Sequence, residues 1–374
     1  QVLVEHMLFK GTPGRSAEEI AQQVDSIGGQ IDAFTSKEYA GYYLKVLDEH
    51  LPLAVDILSD LICNPLFAEE EIEREKKVIL EEIKMVEDTP DDLVHEIFAE
   101  GFWSNHPLGR PILGTKESVS ALDHKTLREY FRQTYVASNF VVVAVGNLEH
   151  ERVQALLEQA LENAPHDGPE AEQSAPIVAP AIQIRRKDLE QSHIVFGTEA
   201  LPQHHPDRYA GYALNTTLGG SMSSRLFQNV REKRGLAYSV FSGLSAYQDA
   251  GALSIYAGCA NDAVAELIEV VVAELRQMKS GGLDPIELRR AKDHLKGSLM
   301  LGLESTSSRM SHLARQEMYR DSTFGLDEML AAIEKVSEQD VLALADRFFT
   351  NGSLAVTVLG NVNGLQVTKE QLAL

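Results

Sequence analysis

The sequence predicts an α+β protein made of two similar halves, and three observations carry that reading. Amphipathic helical patterns and short pairs of β-rich segments share the whole chain. The 374 residues, 44% apolar and 24% charged, suffice for about two soluble globular domains with sizeable cores. The halves also read as copies. Leu127 to Asn147 ends Phe-Val-Val-Val-Ala-Val-Gly-Asn, and Val341 to Asn361, 214 residues on, ends Leu-Ala-Val-Thr-Val-Leu-Gly-Asn. The long helices of the halves superpose at an offset of 216, with Ile72 over Leu288 and Lys76 over Lys292.

In chain order, Val4 to Thr12 reads as the start of a helix stopped by Gly11. Ser16-Ala17-Glu18-Glu19 is a capping box, and Ile20, Val24 and Ile27 continue it as an amphipathic helix ended by Gly28-Gly29. Gln30 to Leu47, rich in Thr, Tyr, Val and Phe and broken near Ser36-Lys37-Glu38, predicts two strands joined by a polar turn. Leu51 to Ile62 is helical, Asn64-Pro65 breaks it, and Glu69 to about Val86 makes a long charged helix stopped before Pro90. Asp123 to Tyr135 predicts a helix and Asn139 to Gly146 an apolar strand. The pattern then dissolves into Pro, Gly, Glu, Gln and Ser, which places a linker at 167–181 between halves spanning 1–166 and 182–374.

The second half opens with strands at Ile182 to Arg186 and Ser192 to Gly197, then a helix from Asp207 to about Leu218 and the loop Gly219 to Ser224. A helix from Arg225 to Lys233 ends at Gly235. Strands follow around Ala237 to Leu244 and Ala252 to Gly258, and Asp262 is read as the cap of a helix to Met278. Asp284-Pro285-Ile286-Glu287 starts a long helix by cap, proline and third-position glutamate together.

The net charge of −22 argues against a nucleic-acid or anionic-membrane surface and for a solvated acidic exterior, with basic partners a weaker alternative. Cys63 and Cys259 lie far apart in apolar surroundings, so they read as buried thiols in a reducing compartment. No run of 18 apolar residues exists, so no membrane span is expected.

The residues with chemical promise begin at Glu5-His6. In the inverted zinc motif H-x-x-E-H, two histidines four apart share a helix face and bind the ion, and the glutamate before the second acts as general base. Here the first histidine position holds Val2. Glu75 and Glu82, seven apart on the long helix, share one face. They belong either to such a site or to a solvated stripe with Lys76, Lys77 and Lys84. In the second copy Glu75 falls on Ala291, Glu82 on Ser298, and Glu5-His6 near the 219–224 loop, so the copy has no ligands there. That difference favours a functional Glu82.

These stretches resemble the pitrilysin/insulinase family of zinc peptidases, in particular its mitochondrial-processing-peptidase-like branch. The matching segments are Glu5 to Thr12, Gly28 to Tyr43, the Glu69 to Glu82 helix, His106-Pro107-Leu108-Gly109-Arg110-Pro111-Ile112-Leu113-Gly114-Thr115, and Ser223 to Tyr238. They span nearly the whole chain. The resemblance implies two homologous αβ roll halves, each an antiparallel sheet packed with helices, the first carrying the metal. It makes His6 and Glu82 ligands of Zn2+, Glu5 the base that activates a bound water, and Glu75 a supporting catalytic carboxylate. It makes Ala33-Phe34-Thr35 an edge strand that pairs with peptide substrate, and Arg231 and Tyr238 a substrate-contacting pair from the second half, although Tyr238 on its own also reads as a strand core residue. It further implies a homodimer or a heterodimer with a related subunit, since the chain holds two of the four units of a complete chamber. An organellar matrix is a compatible location.

Two departures stand at the start of the chain: Val2 cannot ligate a metal, and the family's strands ahead of the motif helix are not present. A shortened N terminus would explain both. Two readings follow, a zinc endopeptidase acting on peptides held between αβ halves, and a non-catalytic subunit of the same fold that has lost its first histidine. Retention of Glu5, His6, Glu75 and Glu82 favours the first.

Overall fold

The computed structural model describes residues 1–169, 174–319 and 324–374, so part of the expected linker, 170–173, lies outside the described residues. The first half runs α1 (Val2–Leu8), α2 (Ala17–Ser26), β1 (Gln30–Thr35), β2 (Ala40–Lys45), α3 (Leu51–Cys63), α4 (Glu69–Asp88), α5 (Pro90–Phe102), α6 (Lys116–Ala121), α7 (His124–Thr134) and α8 (His150–Ala160). The second runs β3 (Ile182–Arg186), β4 (Gln191–Glu199), α9 (Arg208–Leu218), a π-helical turn (Phe227–Glu232), β5 (Ala237–Ala246), β6 (Gly251–Ala260), α10 (Val264–Ser280), α11 (Pro285–Gly302), α12 (Thr306–Tyr319), α13 (Leu326–Lys335), α14 (Glu338–Phe348) and β7 (Ala355–Gly360).

The duplication is visible in this order. A helix, a second helical segment, two antiparallel strands, a helix and a long helix occur in both halves. Gly28 and Gly235 stand at the same place in each, both at φ +62°, where a side chain would be strained. Local chemistry sets the helix starts. Ser16 and Glu19 close a reciprocal capping box on α2, and Asp284 with Glu287 does the same on α11 behind Pro285, satisfying amide groups that a helix start leaves without partners.

By contact the chain forms two compact units that interleave along the sequence: Gln1–Met85, Pro111–Gln173 and Glu304–Met318 in one, Val86–Arg110, Ser174–Leu303 and Tyr319–Leu374 in the other. In the first unit, Val4, Met7 and Leu8 of α1 share a core with Ile72, Ile79 and Ile83 of α4 and with Leu127 and Tyr135. Ile20 and Val24 of α2 pack with Ile57 and Leu61 of α3. β1 pairs antiparallel with β2, Ala33 opposite Tyr42 and Thr35 opposite Ala40. Among the described residues no strand lies on the other edge of β1.

The second unit is built on a five-stranded sheet in the order β3-β7-β4-β6-β5. Ladders are antiparallel except β3–β7, which is parallel. Ile194 and Phe196 of β4 face a core shared with α9, α10 and α14. Val195, pointing the other way as strand alternation requires, packs with Val94, Phe98 and Phe102 of α5. A Cβ at Gly197 would overlap the Phe98 ring, so glycine there admits α5.

Two sequence expectations change. Residues 140–145 form no strand, and Val141 and Val142 are 42% and 53% exposed. The equivalent β7 is flanked by β3 and β4, whereas no described strand flanks 140–145; an apolar run becomes a strand only where neighbours take its backbone hydrogen bonds. Asp262 does not cap α10, whose N-cap is Ala263 without a side-chain bond.

Candidate metal centre

α1 and α4 position the candidate site, and both do so through their apolar faces. On α4 the buried positions are Ile72, Glu75, Ile79 and Ile83, so Glu75 occupies the core stripe. Two lysines of this helix pair elsewhere: Lys76 Nζ lies 2.9 Å from Glu73 and Lys84 Nζ 2.6 Å from Glu81. Lys76 is largely covered and also donates to the Leu122 carbonyl at 3.0 Å, Lys84 and Glu81 lie on the solvated face, and Glu75 and Glu82 are left facing α1.

His6 sits between the two carboxylates. Its Nδ1 is 3.0 Å from Glu75 Oε2 and its Nε2 is 3.9 Å from Glu82 Oε1. With a proton on Nδ1, an assignment made from this hydrogen bond, the imidazole donates to Glu75 and turns the Nε2 lone pair toward Glu82. A carboxylate behind a histidine in this way fixes its tautomer and orientation. Glu75 is only 6% exposed, and a carboxylate that deep needs partners. It has two: His6, and Lys10, whose Nζ is 2.7 Å from Oε1.

Glu5 lies on the neighbouring position of α1 and accepts a hydrogen bond from Thr35 Oγ1 at the end of β1. The two expected base and strand residues are therefore in direct contact. Beyond α1 the loop is pinned by Thr12 Oγ1, which donates to Asp60 at 2.7 Å, and by Arg15 Nη1, 2.8 Å from the same carboxylate. Burial alone would raise Asp60, but the bonds from Thr12, Arg15 and Asn64 outweigh it and hold the carboxyl below its ordinary range. Behind the site, burial and the adjoining Tyr135 hydroxyl raise Tyr42 far above the usual phenol range, with the Glu5 charge adding to it.

The donor chemistry of His6 and Glu82 fits zinc, and 3.9 Å is within the about 4.2 Å that two zinc–ligand bonds of about 2.1 Å can span. The donor number is one short of the three protein ligands of a catalytic zinc. Val2, one turn before His6 and buried at 8% exposure, brings none, and among the described residues no group of three or more His, Cys, Asp and Glu is placed to hold a metal.

The structure thus assembles Glu5, His6, Glu75, Glu82 and Thr35 in one unit, with Ala33 and Phe34 preceding Thr35 on β1 and the Phe34 ring edge-on to Tyr39. In the other unit Arg231 lies over the Tyr238 ring at 5.0 Å and over Phe227 at 4.8 Å. Tyr238 is 80% exposed, not a core residue, because the ladder shifts register there and turns it outward. Lys10 was not singled out from sequence; its only signal is its place between the motif helix and Gly11.

Comparison with known proteins gives a consistent picture. Residues 2–116 match the family described as Insulinase (Peptidase family M16), and residues 121–295 match the Peptidase M16 inactive domain. A Bacillus subtilis protein named an uncharacterized zinc protease is 42% identical over 347 residues, covering 93% of this chain and 85% of its own. One from Streptomyces coelicolor with the same description is 39% identical over 374 residues, covering 98% and 81%. Among solved structures, a peptidase M16 inactive domain from Pseudomonas fluorescens superposes with a TM-score of 0.91 at 21% identity, covering 98% of this chain and 89% of that one. A protease from Helicobacter pylori gives 0.88 at 22%, covering 96% and 88%. At such identities these two structures speak for the fold alone.

Proposed function

The chain belongs to the insulinase-type peptidase family M16, and from that premise we propose that it is a zinc-dependent endopeptidase acting on peptides or unfolded segments. The observation that carries this reading is the bracketing of His6 by Glu75 and Glu82 with Glu5 alongside. His6 and Glu82 would hold the zinc. When bound, the ion supplies an acidified water and polarises the scissile carbonyl.

The chain's own residues do the rest. Glu75, neutralised by Lys10, keeps the His6 ring oriented with Nε2 outward. Glu5 takes the proton of the attacking water and returns it to the leaving amine, and Thr35 fixes the carboxylate for that exchange. The edge of β1 that has no described neighbour receives substrate as an added strand, which favours extended peptides and tolerates sequence because the bonds are main-chain ones. The exposed Tyr238 and the half-buried Arg231 stacked on it are proposed to contact the substrate. The protein is further proposed to work as a homodimer or with a related, processing-peptidase-like subunit. Among the described residues no helix is long and apolar enough to cross a membrane; a reducing compartment, cytoplasm or organellar matrix, suits two free cysteines.

A second reading, a non-catalytic subunit of the same family, is supported by one observation: the buried, donor-free Val2. Metal analysis of the full chain, with cleavage of an unfolded peptide measured before and after chelation, separates the two. Zinc near one equivalent and chelator-sensitive cleavage are expected; metal-free, inactive protein would select the second reading.

A further inference from the structure

In the second unit, α9, the 219–224 loop and α11 line a shallow polar cleft, open to solvent, whose lining includes Thr216, Ser221, Ser223, Glu287, Arg290 and His294. The duplication assigns this place to the counterpart of the metal centre, since α11 corresponds to α4 and the loop to the Glu5-His6 turn. Its chemistry has been inverted. The position of Glu75 is held by Ala291, which also lines the cleft, and the position of Glu82 by Ser298.

What remains is a concentration of hydrogen-bond donors. Glu287, the one acid in the lining, is already engaged by Arg225, with Nε 3.0 Å from Oε1 and Nη2 2.8 Å from Oε2, so the pair adds no net charge. Arg290 and His294 stand one turn apart on the exposed side of α11. Arg290 makes a long hydrogen bond, from Nε to the Ile286 carbonyl at 3.4 Å, and its charge also acts on the nearby Glu287, but its terminal nitrogens hold no hydrogen bond among the described residues. The Ser221 hydroxyl donates to the Thr216 carbonyl at 3.3 Å and lies 3.3 Å from the Ser223 hydroxyl, both long contacts that a stronger acceptor would displace. Among the described residues the amide N–H groups of Ser221, Met222 and Ser223 have no acceptor. Guanidinium, imidazole, hydroxyls and loop amides around one cleft are the donors that oxyanions take.

We propose that this cleft binds an oxyanion group, a phosphate or a carboxylate, with Arg290 as the charged anchor and His294, Ser221 and Ser223 completing it. The site is independent of the metal reading, because none of its residues belongs to that centre. Two sources carry this chemistry: free inorganic phosphate, and the C-terminal carboxylate of a bound peptide.

Calorimetric titration of the full chain at fixed ionic strength tests it, using inorganic phosphate in one arm and, in the other, one peptide with a free or an amidated C-terminus. Saturable binding of phosphate, or of the free-acid peptide at least tenfold tighter than its amide, is expected. Which arm responds identifies the source. Arg290→Gln and His294→Gln, both at exposed positions, should each weaken that binding tenfold or more, while Arg289→Gln on the same helix should not. No saturable binding in either arm, or binding unmoved by Arg290→Gln and His294→Gln, overturns the proposal.

Discussion

Replacing Val2 by histidine adds the third donor that the site lacks. Positions 2 and 6 are four apart on α1 and so share a face, and Val2 packs in the α1–α4 core at 8% exposure. Burying a valine contributes about 1.5–3 kcal/mol, and the imidazole recovers part of it, so the metal-free variant should lose about 1–2 kcal/mol of stability. Against that, zinc held by four donors binds with about 10–16 kcal/mol, or about 3 kcal/mol per donor. One added donor then tightens binding about a hundredfold, at 1.4 kcal/mol per tenfold. Competition against a chromophoric chelator reads this directly, with unfolding followed in chelator and in excess zinc. The variant should be the less stable protein in chelator and the more stable in zinc, where ligand at about 100 times Kd adds about 2.7 kcal/mol. A folded Val2→His protein whose zinc affinity stays within about threefold of the parent would refute the placement of a metal between His6 and Glu82.

Glu5→Gln should leave zinc content unchanged and lower peptide cleavage by about 10²–10⁴-fold, the range of a lost general base; unchanged turnover removes Glu5 from the mechanism. Glu75→Ala strands the Lys10 ammonium and frees the His6 ring, and should cost about 3 kcal/mol in urea denaturation. In the second unit, His95 stacks on Tyr256 and His193 Nδ1 lies 2.9 Å from the Tyr256 hydroxyl. Burial lowers both histidines and pushes Tyr256 up to about 12. The unfolded chain therefore takes up their protons first as pH falls. Their contribution is full above about pH 6.5, the unfolded value, and is lost below it; urea midpoints at pH 7.5 and 5.5 should differ less in His95→Phe than in the parent. Gly251→Ala places a Cβ against the Leu201 carbonyl and should destabilise by about 2–3 kcal/mol, read as a lower midpoint with unchanged slope.

Along the chain, local signals determined most of the elements. Capping boxes, breakers and apolar spacing sufficed for α2, α3, α4, α7, α11 and the β1–β2 hairpin, because each is a short-range preference of backbone and side chain. The helix α5, which begins at the Pro90 read as a stop, went unread, since proline at a first helical turn and proline after a helix look alike in sequence. The apolar run at 140–145 shows the same limit from the other side: its β character is local, but pairing needs neighbours supplied from elsewhere. At the site, the sequence alone determined residue types and spacing, Glu5 beside His6 and Glu75 two turns from Glu82. The tertiary structure decided which carboxylate is buried behind the imidazole, which faces its free nitrogen, and that Lys10 balances the buried charge. It decided this because those relations are distances between α1 and α4, and only the packing of their apolar faces sets such distances.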